Sequence, residues 1–180
     1  MVTRPAADLD AAIDHIRAAP RDQGTIDLIA RRPAQGTREI IDHARFDLKL
    51  GVVGDGWHRR PSHKTGAPNL DQQVTIMSAR AIAAIAPVRD AWAHAGDQLY
   101  VDFDISAANT PPGTRLAIGT AVLEVSTHPH TGCAKFTKRF GSEATKWVNS
   151  PVGRELNLRG IAARVVVAGV ARPGDPIRKL

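Results

Sequence analysis

Apolar residues recur along this chain with two different periods. In residues 8–18, Leu9, Ala12, Ile13 and Ile16 fall on one face at helical spacing, with acids in the first turn and Arg17 in the last, which predicts a helix that ends before Pro20. The period then shortens. Residues 26–30 read as a strand, Gln35-Gly36 as the turn after it, and residues 38–44 fit either a short helix or an irregular strand. Residues 74–77 are a further strand, and Ser78 is placed to cap a helix over residues 79–85. Residues 98–105 alternate, with Leu99, Val101, Phe103 and Ile105 sharing a face. Turns at 111–113 and 119–120 delimit strands at 115–118 and 121–125. Helical patterns follow around 142–148 and 151–156, then a β-branched strand at 161–170 and a closing turn at 173–175. Short strands joined by Gly-rich turns predict an antiparallel barrel or sandwich: a mostly β fold with short helices, of the α+β class, without internal repeats.

Composition narrows this picture. With 180 residues, 43% hydrophobic and 23% charged, the chain is long enough for one domain with a proper core. No stretch approaches the roughly 18 to 20 apolar residues that span a bilayer, and the N-terminal residues lack the apolar core of a signal peptide, so no membrane role is expected. Residues 1–50 hold eight Lys/Arg and eight Asp/Glu, so the whole net charge of +6 comes from the rest of the chain. That balance suits an anionic small molecule. A nucleic-acid partner is disfavoured, because only 4% of residues are aromatic and no basic run is paired with a stacking platform. One cysteine cannot form an internal disulfide, and such usage fits a reducing cytoplasm.

Candidate chemistry gathers in two places. Residues 51–68 are dense in Gly, Pro, His and basic residues and predict a long functional loop, in which Arg59, Arg60, His63 and Lys64 could close over an anion. The second place is Cys133, which follows His128, His130 and Gly132 and precedes Lys135, Lys138 and Arg139. Positive charge there favours the thiolate, which can act as a nucleophile, a sulfur acceptor or a metal ligand. His128 and His130 could join Cys133 in a metal site, although two anion-binding or surface histidines account for them more simply. The basic side chains beyond the cysteine, including Lys146, Arg154 and Arg159, form either a solvated face or a phosphate-binding pocket. Asp55 and His58 could pair as acid and base, but Gly54-Asp55-Gly56 is first a turn signature. Phe136, Phe140 and Trp147 fit the packed side of a helix, with stacking on a planar ligand as the other reading.

The order of these features resembles the MOSC domain, named for the C-terminal domain of molybdenum cofactor sulfurases. Gly54-Asp55 with His58 is followed by Gly96-Asp97-Gln98-Leu99, by Pro112-Gly113-Thr114-Arg115-Leu116-Ala117-Ile118-Gly119, and by Ala121-Val122-Leu123-Glu124-Val125 leading to Cys133. Gly153-Arg154, Arg159-Gly160-Ile161-Ala162-Ala163-Arg164-Val165 and Gly174-Asp175 complete the series. The resemblance covers about residues 24–178. It implies a MOSC-like β-barrel over residues 24–180, preceded by a helix and lead-in over residues 1–23. It also implies that Cys133 carries sulfur as a persulfide or ligates molybdenum in a pterin cofactor. His58, Arg59, Arg60, Lys64, His130, Lys135, Arg139, Arg154 and Arg159 are then the expected cofactor-binding residues. A cysteine desulfurase or a molybdoenzyme is the implied partner, and pyridoxal phosphate, present in the family only through a separate desulfurase domain, is not expected on this chain. The chain departs from the common pattern at Gly132, where many members have Pro, and at Arg59-Arg60, where a Gly pair is usual. The alternative function is a noncatalytic module that binds an anionic ligand or a protein, with a structural cysteine.

Overall fold

The computed structural model describes residues 4–59 and 66–180. Its strands are β1 (Gln23–Arg31), β2 (Glu39–Ile41), β3 (Ala44–Asp47), β4 (Gly51–Val52), β5 (Val74–Ser78), β6 (Leu99–Asp102), β7 (Arg115–Ile118), β8 (Ala121–Val125), β9 (Ile161–Val167), β10 (Gly169–Ala171) and β11 (Pro176–Lys179). The helices are α1 (Ala6–Asp10), α2 (Ile13–Arg17), α3 (Ala79–Ile85), α4 (Ala134–Asn149) and α5 (Pro151–Glu155). Seven strands close into a barrel in the order β1-β6-β5-β9-β8-β7-β11, and β11 returns to β1. β2 extends β1 along the same edge, while β10, β3 and β4 make a small separate sheet. The mostly β fold with short helices is as expected, and the closed barrel decides between barrel and sandwich.

Alternation along each strand builds two cores. Ile26, Ile29, Val74, Ile76, Leu99, Val101, Leu116, Leu123, Val165 and Ile177 fill the barrel. Their neighbours Leu28, Ala30, Met77 and Tyr100 point outward into a second cluster under the helices, with Leu9, Ile82, Phe136, Phe140 and Trp147. A register shift against β6 between Ile26 and Leu28 lets Ile26 and Ile29, three apart, both face the interior. Of the barrel pairings only β5–β6 is parallel. A parallel pair needs a long crossover, and α3 with the 3₁₀ helix Arg89–Ala95 supplies it. Ser78 caps α3 by accepting from the Ala81 N–H, as its sequence position predicts.

Several elements differ from the sequence pattern. The N-terminal helix is split into α1 and α2 at Ala11-Ala12, and both halves pack into the outer cluster through Leu9 and Ile16. Residues 38–44 contribute strand, not helix. The helix expected from 142 begins eight residues earlier, and its two halves meet at Gly141, whose φ of 89° is not helical. The strand expected over 161–170 breaks at Ala168 into β9 and β10, which serve different sheets. β11, which closes the barrel, follows the turn with which the apolar pattern ended.

Closure is tightest at Gly24, which pairs with Ile177 of β11. A Cβ there would collide with the Asp102 carbonyl oxygen. We expect Gly24→Ala to lower unfolding free energy by about 1–3 kcal/mol, the usual cost of overpacking, measured by urea denaturation. An unchanged midpoint would show that the barrel does not close this way.

Candidate functional site

At one end of the barrel three chain segments converge on a buried carboxylate. Asp97, just before β6, is fully buried. Its Oδ2 accepts from Arg159 Nη1 at 2.7 Å, and its Oδ1 accepts from His130 Nε2 at 2.8 Å. Burial alone would raise the Asp97 pKa, but the Arg159 charge and the His130 contact outweigh it and hold the carboxyl well below the usual carboxylate range. An ionised carboxylate only accepts, so His130 donates through Nε2. Burial and the nearby Arg159 charge lower the His130 pKa against the pull of Asp97, which favours the neutral ring.

The same cluster is braced from a second side. Asp55 is fully buried and accepts from the Arg32 N–H at 2.8 Å, from Arg32 Nε at 3.1 Å and from the Trp57 N–H at 2.8 Å. Arg32 Nη1 donates to the Gly96 carbonyl at 2.8 Å, so this pair anchors the residue before Asp97. The Gly54-Asp55 turn is real, with Gly54 at φ 86°, but Asp55 is an ion-pair partner of Arg32 and not the acid of an acid/base pair with His58.

Cys133 is the residue that precedes α4, and it is exposed. Its backbone is held firmly. Asn149, at the far end of α4, accepts from the Gly132 N–H at 2.9 Å and donates to the Gly132 carbonyl at 3.1 Å. Thr137 donates to the Cys133 carbonyl through both its N–H and its hydroxyl. A Cβ on Gly132 would press at 3.0 Å on Asn149 and Val148, which gives a steric reason for glycine at this position. One turn into α4, the Phe136 ring lies under Arg159, with Cζ 5.0 Å from the centroid, and this brings the buried guanidinium near the cysteine. Partial burial opposes ionisation of the thiol. The Phe136 and Lys135 amides, with the Arg159 and Lys135 charges, outweigh it and lower its pKa.

The predicted binding residues take distinct places. Arg159 is buried and its terminal nitrogens are committed to Asp97 and to the Ala95 carbonyl, so it acts on Cys133 through its charge. Arg139 donates to the His94 carbonyl and Arg59 to that of Pro33. His58, in the 3₁₀ helix Trp57–Arg59, has a buried Nδ1 without a partner among the described residues. Lys135 is exposed beside the cysteine, and Lys146 pairs with Glu143 on the surface. Arg60, His63 and Lys64 lie outside the described residues. His128 contacts Gln72 while His130 turns to Asp97, so the two histidines do not converge with Cys133. Among the described residues no group of three His, Cys, Asp or Glu could hold a metal ion. Phe136, Phe140 and Trp147 are buried in the outer core. A cavity of about 440 Å³ opens beside this loop, lined by His130, Thr131, Asn149, Arg154, Asn157 and Arg159 among others. Arg32 and Asn149 were given no site role by sequence, and Asp97 stood in the Gly96-Asp97-Gln98-Leu99 motif without one. The signal for Asp97 was its place in Gly96-Asp97-Gln98, where an acid leads directly into an apolar strand.

The sequence model of the MOSC domain family matches residues 56–178. Among solved structures, the YuaD protein from Bacillus subtilis is similar at a TM-score of 0.60 and 18% identity, over 86% of this chain and 94% of that one. YiiM from Escherichia coli is similar at a TM-score of 0.55 and 18% identity, over 87% and 69% of the two chains. YiiM from Geobacillus stearothermophilus is similar at 0.54 and 13%, over 87% and 73%. At these identities the likeness is one of fold. No curated protein sequence matches significantly. Among the described residues no helix is long and apolar enough to cross a membrane.

Asp97→Asn is expected to cost about 3–5 kcal/mol, because it leaves the Arg159 charge buried without its counter-ion. The Asp97 pKa is depressed in the folded state, so its stabilisation is present above the ordinary carboxylate pKa and fades as pH falls below about 4. Unfolding free energies of both proteins across this range should therefore converge in acid; a gap independent of pH would refute the ion pair.

Proposed function

Because the chain belongs to the MOSC domain family, we propose that it presents Cys133 as a thiolate to a molybdenum-pterin cofactor, as ligand to the metal or as carrier of sulfur for it. The observation that carries this reading is the exposed thiol, its pKa lowered, on a turn fixed at both ends by Asn149 and Thr137. A structural cysteine would be buried in the periodic core, as free cysteines usually are. This one is not.

The residues present fit such a group. Thiolate sulfur is a soft donor suited to molybdenum, and the positive charges of Lys135 and Arg154 stand exposed near the loop, where an anionic tail could be held. The cofactor, when bound, supplies a redox-active metal centre. The chain's own part is to keep Sγ deprotonated, to aim it outward, and to hold the loop rigid from Gly132 to Thr137. As a sulfur carrier, Cys133 Sγ attacks the terminal sulfur of a donor persulfide. A new S–S bond forms on Cys133, the donor's S–S bond breaks, and the donor departs as its thiolate. A cysteine desulfurase is the natural donor, and a molybdoenzyme the natural acceptor.

Protein purified from its native host should carry molybdenum and pterin, or a mass gain of one sulfur on Cys133, and Cys133→Ser should carry neither. Equal contents in the two proteins would overturn the proposal. Independently, the rate of iodoacetamide alkylation should titrate with a midpoint below the ordinary thiol value of about 8.5, and Lys135→Ala should move that midpoint upward. A wild-type midpoint at or above the ordinary value would remove the basis for a poised thiolate.

A further inference from the structure

The Asp97 contact determines which nitrogen of His130 is left for other work. Nε2 carries the proton and donates a hydrogen bond to Asp97 Oδ1. The neighbouring Cδ2 packs against Gly160, where a Cβ would sit 3.2 Å from it, and Gly160 at φ 106° is bare in that direction. The Nε2–Cδ2 edge of the ring is therefore occupied. Nδ1, on the opposite edge, has no hydrogen-bond partner among the described residues, and His130 lines the 440 Å³ cavity. Arg154, on α5, lines the same cavity, exposed and without an ion-pair partner among the described residues. Asn149, also in the lining, has both side-chain atoms committed to Gly132, and Asn157 Nδ2 donates to the Ile105 carbonyl. Arg159 adds a buried positive charge to the wall.

We infer that this cavity is a binding site for a small anion that also carries a hydrogen-bond donor, its charge met by Arg154 and its O–H or N–H received by His130 Nδ1. A cationic donor and a neutral acceptor that line one cavity recognise a ligand by complement: the guanidinium offers only N–H groups, and the unprotonated imidazole nitrogen offers only a lone pair. An anion without hydrogen would leave Nδ1 facing a second acceptor, which costs the unmade bond and adds repulsion. The volume is in the range of sites for small organic ligands, so the natural ligand is larger than an inorganic ion that reports on its head group. The inference deepens the reading in which Arg154 meets an anionic tail, and its test is independent of Cys133.

Hydrogenphosphate and sulfate separate the two contacts, since at about pH 8, above the ordinary histidine pKa, both are dianionic tetrahedra and differ by one O–H. Calorimetry on the full chain should show hydrogenphosphate binding roughly tenfold or more tighter than sulfate. Arg154→Ala, an exposed change that leaves the core untouched, should weaken both anions. In protein labelled with ¹⁵N-histidine, His130 Nδ1 should resonate as an unprotonated nitrogen, assigned by comparison with His130→Phe, and should shift with hydrogenphosphate and not with sulfate. Equal affinities, absence of binding by either anion, phosphate binding indifferent to Arg154→Ala, or a protonated Nδ1 would each overturn the inference. Cys133→Ser protein should bind hydrogenphosphate as the wild type does, so loss of cofactor or persulfide in that variant and failure of the anion site are read separately.

Discussion

A carboxylate without solvent, Asp97, sets the conditions for everything at this end of the barrel. An ionised group removed from water is tolerated only when opposite charge and hydrogen bonds replace its hydration. Here the replacements come from far along the chain: Arg159 before β9 and His130 in the loop after β8. Each also serves a second surface. Arg159 spans to the Ala95 carbonyl and lies over Phe136, so one guanidinium joins the entry of β6 to the first turn of α4. Satisfying Asp97 thus places the segments on either side of Cys133.

The barrel allows this convergence because backbone packs on backbone at a few glycines. Gly160 lies against the Ile76 carbonyl and the His130 ring, and Gly24 against the Asp102 carbonyl. Side chains at these positions would separate β9 from β5, or β1 from β6, and move the two partners of Asp97 apart. Asp55 and Arg32 work in the same direction from outside, since Arg32 ties the Asp55 turn to the Gly96 carbonyl. Two buried ion pairs therefore flank one dipeptide, Gly96-Asp97, and fix its position.

Much of the barrel was legible because its strands alternate. Leu99, Val101, Phe103 and Ile105 were expected on one face and do share the barrel interior. The loop position of Cys133, between an apolar strand and a basic segment, was legible too, and the residue is exposed there. What the pattern did not reveal is of another kind. β11 was missed because an edge of four residues, Pro-Ile-Arg-Lys, has too few apolar positions to show a period, yet closure depends on it. The early start of α4 was hidden by Gly132 and by the kink at Gly141, which local propensity reads as breaks. The role of Asp97 was hidden because a Gly-Asp pair looks like a turn wherever it occurs. Only tertiary context distinguishes a carboxylate that faces water from one that faces Arg159.

Two opposite demands meet in this arrangement, and the geometry reconciles them. A neutral imidazole and a thiolate both need local positive charge, because it disfavours protonation of each. Placing a bare guanidinium in the interior would be costly. Pairing Arg159 with Asp97 removes most of that cost, and the residual field depends on distance. His130 touches Asp97 directly, and burial together with Arg159 still outweighs the carboxylate's pull. Cys133 lies just before Phe136, whose ring the guanidinium covers, and the Arg159 charge counts among the causes that lower its pKa. One buried ion pair therefore supports both a neutral imidazole at His130 and a lowered thiol pKa at Cys133.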